Sequence, residues 1–399
     1  MGLPLEGVRV LAVEQYGAGP FGTQHLADLG AEVIKVENRH TGGDYARALG
    51  PYFVEGAKGD DNSLFFQSIN RNKKSLTLDL GQSEAQQIFR QLVVGADAVA
   101  NNLRGDVPEK LGLTYDALKS ANAAIVCAHC SGYGREGPRR DWPGYDYLMQ
   151  AETGYFHLTG EPEAPPTRVG MSVVDFMAGT YMALGLVAGV LSARSTGQGR
   201  DIDVNLYDTA LYNLSYLNTW ALNSGYDPLR VPRSAHVSLV PCQLYRTSDG
   251  WIYVMCNKEK FWPELCEAVG RPDLARDPRF ATYADRLDRR DELTVILDEA
   301  LSARASDAWL RELRGRVPVA PIRTPRAALQ DSRLEAEEKI ETLALDGSEE
   351  FRMLRSPIRA GGNDASRACP PMGHDTVEIL QAAGYSAEDI AGFRERSLI

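Results

Sequence analysis

The chain has 399 residues, 44% of them hydrophobic and 24% charged, which is ordinary for a water-soluble globular protein and more than one core usually supports, so two domains are expected. A formal net charge of −11 argues against nucleic acid or an anionic membrane as a general partner, while leaving room for a local basic patch that takes an anionic cofactor. Six cysteines and an opening Met1-Gly2-Leu3-Pro4-Leu5-Glu6, with no basic stretch leading into an apolar one, predict a cytoplasmic protein.

Val8 to Val13 reads as a short buried strand. Gly17-Ala18-Gly19-Pro20-Phe21-Gly22 then matches G-x-G-x-x-G ahead of a helical segment, Phe21 to Leu29. A second strand, Glu32 to Glu37, ends on an acid where a nicotinamide site would hold its ribose. The turn offers helix N-terminal N–H groups to a phosphate, or its glycines serve close packing, and Pro20 removes one N–H from the cradle. Asn70-Arg71-Asn72-Lys73-Lys74 is the densest basic patch near the N-terminus, and a solvated surface turn is its plain reading. Ser75 to Leu80 forms another strand, and Ser83-Glu84-Ala85-Gln86 has the form of a capping box opening a helix to about Gly95. Ala98 to Asn101 and Ile125 to Ser131 add further strands. Cys127-Ala128-His129-Cys130 has CxxC spacing without a second pair, so no metal site is expected. Strands alternating with helices predict an α/β fold with an open, doubly wound parallel sheet.

Phe176 to Leu191 is the longest apolar run, short for a membrane span and broken by Gly179, Gly185 and Gly189. From Asp175 to about Leu222 the pattern predicts two helices separated by Thr196-Gly197-Gln198-Gly199, the first apolar almost all round and therefore buried or packed on another subunit. Cys242 to Arg246 and Trp251 to Cys256 alternate around Ser248-Asp249-Gly250 as a hairpin, and helical, charge-rich sequence follows to about Arg316. These describe a smaller α+β domain. The tail from about Ala327 is weakly structured before a final helix near His374 to Ala383. The expected layout is a large domain over 1–200, a linker helix over 201–225, a small domain over 226–325, and a return linker with the rest of the large domain over 326–399.

An ordered set of segments carries a resemblance. Leu5-Glu6-Gly7-Val8-Arg9-Val10-Leu11, Ala18-Gly19-Pro20-Phe21 and Leu29-Gly30-Ala31-Glu32-Val33-Ile34-Lys35-Val36-Glu37 open it. Asn70 to Ser75, Leu78-Asp79-Leu80, Ser131-Gly132-Tyr133-Gly134, Gly144-Tyr145-Asp146 and Gly154 through Thr159-Gly160 follow. Thr196 to Gly199 and Pro371-Met372-Gly373-His374 close it. Together they resemble the family III CoA transferases (CaiB/BaiF type), a group that also holds the 2-methylacyl-CoA racemases. The resemblance implies a Rossmann-like large domain built from both chain ends, with the small domain inserted, and two interlocked subunits. It implies acyl-CoA and a small carboxylic acid as substrates, with no tightly bound cofactor.

Val173-Val174-Asp175-Phe176-Met177-Ala178-Gly179 resembles the segment that carries the family's catalytic aspartate. Read alone, Asp175 is a helix cap. The resemblance makes it the nucleophile, and a helix N-terminus is expected to favour its ionised form by ~0.3–1 kcal/mol. The racemase branch has histidine where Tyr145 stands, and a phenol with a pKa near ~10 is a poor base at neutral pH. His129 and His236 are conceivable substitutes, each read first as a packed strand histidine. The resemblance also implies CoA contacts at Gly17, Ala18, Arg39, Asn102, Arg104, Lys110 and Tyr145. Several features depart from the family pattern: Gly17 replaces a glutamine of the formyl-CoA transferases, their arginine after the strand-ending glutamate becomes Asn38 with Arg39 next door, Lys110 replaces an arginine, Pro143 stands where some members carry lysine, and the glycine-run loop of the formyl-CoA transferases has no counterpart between Tyr226 and Tyr245. Formate–oxalate exchange is therefore not expected. A racemase, a nicotinamide oxidoreductase and a non-catalytic CoA-binding subunit are the alternatives.

Overall fold

The computed structural model describes residues 2–56, 63–345, 348–361 and 366–399. The chain forms two compact units, one of Met1–Gly154, Arg168–Gly225 and Glu337–Ile399, the other of Tyr155–Thr167 and Tyr226–Ala336.

The first unit is built on six parallel strands, β1 (Arg9–Val13), β2 (Glu32–Glu37), β3 (Lys74–Thr77), β4 (Ala98–Asn101), β5 (Val126–Ser131) and β6 (Arg200–Asn205), in the order β3-β2-β1-β4-β5-β6. The inner strands are short apolar runs because helices cover both faces, which leaves no solvent side to call for alternation. On one face Leu11, Ile34, Leu76 and Val99 meet Ile88, Phe89 and Leu92 of helix α2 (Ser83–Val93). On the other lie α1 (Ala18–Asp28) and, beyond a short helix α3 (Asp146–Glu152), the long α4 (Val173–Thr196). Helices α1 and α4 touch backbone to backbone. A Cβ on Gly22 would sit 2.3 Å from the Gly179 carbonyl, and one on Gly179 would sit 2.3 Å from the carbonyl of Ala18. The third glycine of the G-x-G-x-x-G turn therefore serves helix packing.

Several elements differ from the sequence-based expectation. Helix α4 runs 24 residues with mean hydropathy 1.6, long and apolar enough to cross a membrane, where the glycines had argued for less. Half of its most apolar window is buried, and it packs on α1, β5 and β6. The segment expected as a linker helix over 201–225 opens as strand β6 and then forms two short helices, Leu206–Asn213 and Tyr216–Ser224. Alternating Asp201, Asp203 and Asn205 guard β6 as a charged sheet edge, and Arg135 bridges the first two at 3.3 and 2.5 Å. The capping box does not form: Gln82 is the N-cap, so Ser83 already lies inside the helix. In the tail, β10 (Ile340–Ala344) and β11 (Glu350–Leu354) pair antiparallel, and two helices close the chain, Thr376–Ala382 and Ala387–Glu395.

The second unit contains an antiparallel sheet of β7 (Cys242–Thr247), β8 (Gly250–Met255) and β9 (Val319–Pro321), with the expected tight turn at Ser248-Asp249. Asp249 fixes that turn, accepting from the Thr247 hydroxyl at 3.0 Å and the Ser306 N–H at 2.8 Å. Tyr245, Ile252, Trp262, Phe280, Leu293 and Leu297 form part of its core.

Candidate active site

Where the strand order reverses, between β1 and β4, the carboxyl ends of the strands open a crevice, the usual ligand position in such sheets. A cavity of about 360 Å³ occupies it. Its wall comes from Gln15 to Ala18 after β1, Asn102 to Arg104 after β4, Cys130 to Gly132 at the end of β5, Gly144 and Tyr145 before α3, and Asp175 on α4.

Asp175 is the third residue of α4 and 6% exposed. Among the described residues, its carboxylate accepts no hydrogen bond and makes no ion pair. Gly17 makes room for it, since a Cβ there would lie 2.2 Å from Asp175 Oδ2. The helix N-terminus does not serve this carboxylate. Asp146 Oδ2 takes the N–H groups of Val174 and Asp175, at 2.6 and 2.9 Å. Gln150 holds the other oxygen of Asp146 at 2.5 Å and accepts the Val169 N–H at 2.9 Å. Burial first, and the Asp146 charge second, push Asp175 up to about 7. The expected stabilisation of an ionised Asp175 is thereby corrected. Asp146 occupies the donors that would have supplied it, and the buried carboxylate is left basic. An unpaired carboxylate of raised basicity is a better nucleophile than an ordinary one, and enough of it ionises near neutrality to react.

Asn102 accepts the Gln15 N–H at 2.9 Å and donates to the Gln15 carbonyl at 2.7 Å, bracing the turn beside Gly17. Tyr145 is 62% exposed on the cavity wall. Arg104 reaches the wall with its guanidinium forked on Asp106 at 2.6 and 3.0 Å. Lys110 is not on this wall but shares Asp106 at 2.5 Å. Arg39 is also off it, donating to the carbonyl of Ile399 at 3.0 Å. Its neighbours Asn38 and Thr41 line a second cleft, of about 290 Å³, which shares Gln15 and Leu103 with the first.

Other sequence candidates fall elsewhere. Glu37 cannot serve as a ribose acceptor, because its carboxylate is filled by Arg47 at 2.7 and 2.8 Å, Ser75 at 2.8 Å and the Asp44 N–H at 3.1 Å. The basic patch is no solvated turn: Arg71 pairs with Asp28 at 2.6 Å, and Lys73, fully buried, pairs with Glu14 at 2.8 Å. His129 is a rung between strands, accepting from Asn101 at 2.8 Å and donating to Asp201 at 2.9 Å. His236 accepts the N–H groups of Ser238 and Leu239, each at 3.1 Å. Burial in β5 raises the Cys127 and Cys130 thiols. Sequence reasoning quoted Asp146 only as part of a motif. Its capping of a helix 28 residues further on is a tertiary fact with no local signal.

The family profile described as CoA-transferase family III matches residues 5–376. The succinate–glutarate CoA-transferase of Agrobacterium fabrum is 32% identical over 94% of this chain and 95% of its own length. The acetyl-CoA:oxalate CoA-transferase of Acetobacter aceti is 35% identical over 80% of both chains. Among solved structures, a CAIB/BAIF family protein from Brucella suis superposes with a TM-score of 0.81 at 31% identity, covering 96% of this chain and 100% of the other. The Rv3272 protein of Mycobacterium tuberculosis gives 0.82 at 30%, covering 95% and 99%.

Proposed function

The chain belongs to CoA-transferase family III, and from that premise we propose that it moves CoA from an acyl-CoA to a dicarboxylic acid by covalent catalysis on Asp175. The observation that carries this reading is the buried, unpaired Asp175 carboxylate, raised to about 7 and facing the crevice cavity. The carboxylate attacks the thioester carbonyl, giving a mixed anhydride and the CoA thiolate. The thiolate attacks the aspartyl carbonyl of that anhydride, giving an aspartyl-CoA thioester and releasing the donor acid. The acceptor carboxylate then attacks the thioester, re-forming an anhydride and expelling thiolate. Attack of the thiolate on the acceptor's acyl carbon yields the new acyl-CoA and restores Asp175. Free N–H groups in the first turn of α1, at Ala18 and Gly19, are suited to the oxyanions of these steps.

Acyl-CoA enters this scheme as substrate, and no tightly bound cofactor takes part. The second cleft, with Arg39 beside it and Lys110 near the shared wall, is the proposed place for the coenzyme's nucleotide end. Gly17, Ala18, Asn102, Arg104 and Tyr145 then face its thiol-bearing arm. The dicarboxylate preference rests on relatives whose names specify succinate and glutarate, or oxalate. Tyr145, standing where a racemase needs a base, favours transfer over racemisation. An interlocked homodimer belongs to the same reading, supported by apolar side chains left exposed along α4, Leu184 at 66% and Leu191 at 72%. The test is a matrix of succinyl-CoA and acetyl-CoA against succinate, glutarate, oxalate and acetate, read as new thioesters. Transfer to at least one diacid, lost in Asp175→Ala with CoA binding retained, is expected. Turnover that survives Asp175→Ala defeats the proposal.

A further inference from the structure

Beneath the wall of the cavity that holds Asp175 lie four charged side chains, none of them on that wall, Glu14, Lys35, Asp44 and Lys73, each 5% exposed or less; Glu14 and Asp44 border the second cleft. Burying such groups costs several kcal/mol apiece before pairing, and apolar residues often replace a buried ion pair without loss of stability. Their contacts converge on one short turn. Lys35 Nζ donates to the Glu14 carbonyl at 3.1 Å and pairs with Asp44 Oδ2 at 2.7 Å. Asp44 Oδ1 accepts the Tyr16 N–H at 2.9 Å. The peptide between them is held by Asn102 on both sides of Gln15. Behind the turn, the Glu14 carboxylate accepts from Lys73 at 2.8 Å and from the Thr23 hydroxyl at 2.7 Å. Lys73 also donates to the Pro20 carbonyl at 2.9 Å, tying in the first turn of α1.

Tyr16 has φ +66°, a left-handed conformation that costs a residue with a Cβ ~1–2 kcal/mol and persists only where its surroundings impose it. The next residue is Gly17, against which Asp175 rests. Phe65 meets the Tyr16 ring at 5.4 Å. Burial is the main cause that raises the Tyr16 hydroxyl, with Tyr147 and Asp175 contributing, as expected of a ring aimed at the nucleophile's surroundings.

We infer that the buried Lys35–Asp44 pair, braced by Glu14 and Lys73, is a positioning clamp that imposes the left-handed turn at Tyr16 and so sets the geometry of Asp175 for acyl transfer. The inference rests on the reading of Asp175 as nucleophile and adds residues that act on it through the turn. None of the four lines the cavity around Asp175, and Asp44, at the border of the second cleft, is only 2% exposed, so loss of the clamp slows chemistry far more than it weakens coenzyme binding.

The test compares the wild-type protein with Lys35→Met/Asp44→Leu, in which both charges leave together and neither stays orphaned. Three quantities are read: the single-turnover rate of adduct formation on Asp175 from succinyl-CoA, the dissociation constant of CoA, and the melting temperature. The clamp predicts adduct formation slowed ~30-fold or more, since small misplacements of reacting groups are expensive, with CoA affinity within about threefold of wild type. An unchanged adduct rate in a folded double variant, or a loss of CoA affinity equal to the loss of rate, overturns it. A measurement on the wild type covers the case in which the variant does not fold. The Tyr16 amide must exchange with deuterated water as slowly as the amides of β1, and exchange at the rate of an exposed turn overturns the clamp. If the wild type forms no adduct, the reading of Asp175 as nucleophile itself fails. If the wild type and the folded variant acylate alike, only the clamp does.

Discussion

The two compact units bury their charges differently. In the first, Glu14, Lys35, Glu37, Asp44, Arg47 and Lys73 lie 5% exposed or less beneath the crevice, beside an Asp175 that pairs with none of them. In the second, Arg286 is the one charged side chain among the described residues buried to that degree. It is completely occupied, donating to the carbonyls of Val240 and Phe280 at 2.7 and 2.9 Å and to Glu259 at 2.7 Å, with Trp262 and Tyr283 stacked on it. Arg286 closes a core otherwise free of charge among the described residues, whereas Glu14, Lys35, Asp44 and Lys73 of the first unit converge on a strained turn beside a reactive carboxylate. Buried charge serves stability alone in one unit and geometry in the other.

That contrast can be broken by substitution. Arg286→Met strands the carbonyls of Val240 and Phe280 and should cost the fold ~2–5 kcal/mol, at ~1–3 kcal/mol for each buried acceptor left unpaired. Chemical denaturation reads the loss, and adduct formation per folded molecule should stay near wild type; a matching fall in that rate would erase the distinction. Gly17→Ala should do the reverse. The atom it displaces belongs to the movable Asp175 side chain, so melting should shift little while transfer falls ~100-fold. A variant that melts early and transfers normally contradicts the assignment of the site.

Protonation sharpens the comparison further. Asp175, ordinarily at 3.8, titrates at about 7 in the folded chain, so between those values the native state holds a proton that the unfolded chain has released. Stability therefore declines as pH rises through that window, and the penalty is complete above about 7. Asp175→Asn should accordingly stabilise the protein above pH 7, by a few kcal/mol at most, with the gain fading toward pH 4. Adduct formation, which needs the ionised form, should fall tenfold per unit below about 7 in the wild type. Asp146→Asn removes the charge that helps hold Asp175 up, so that acid limb should move to lower pH, the smallest of these effects. A stationary limb would place the cause elsewhere.

The sheet was legible because buried parallel strands are short apolar runs bounded by turns. Glu32–Glu37 and Ala98–Asn101 fall where the pattern puts them. β6 was not, since its acids carry edge protection and mimic a polar helix face. At the site, resemblance pointed to Gly17, Ala18, Asn102, Arg104, Tyr145 and Asp175, all on the cavity wall, and to Arg39 and Lys110, which stand off it. The basic run at Arg71 to Lys74 misled for a physical reason: a lysine's partner is invisible in sequence when it lies 59 residues away, as Glu14 does from Lys73. The clamp and the Asp146 cap share that character. Both are pairings across the fold between residues of unremarkable local context.

The most direct measurement follows an oxygen atom. Turnover with an acceptor acid carrying heavy oxygen in its carboxyl group, followed by peptide mass analysis, reports whether acid and protein ever shared an atom. Attack by the acceptor on an aspartyl-CoA thioester, followed by thiolate cleavage on the acyl side, leaves one labelled oxygen in the Asp175 carboxyl group. The account predicts that label at Asp175 after one round of transfer; new thioester formed with Asp175 unlabelled would contradict it.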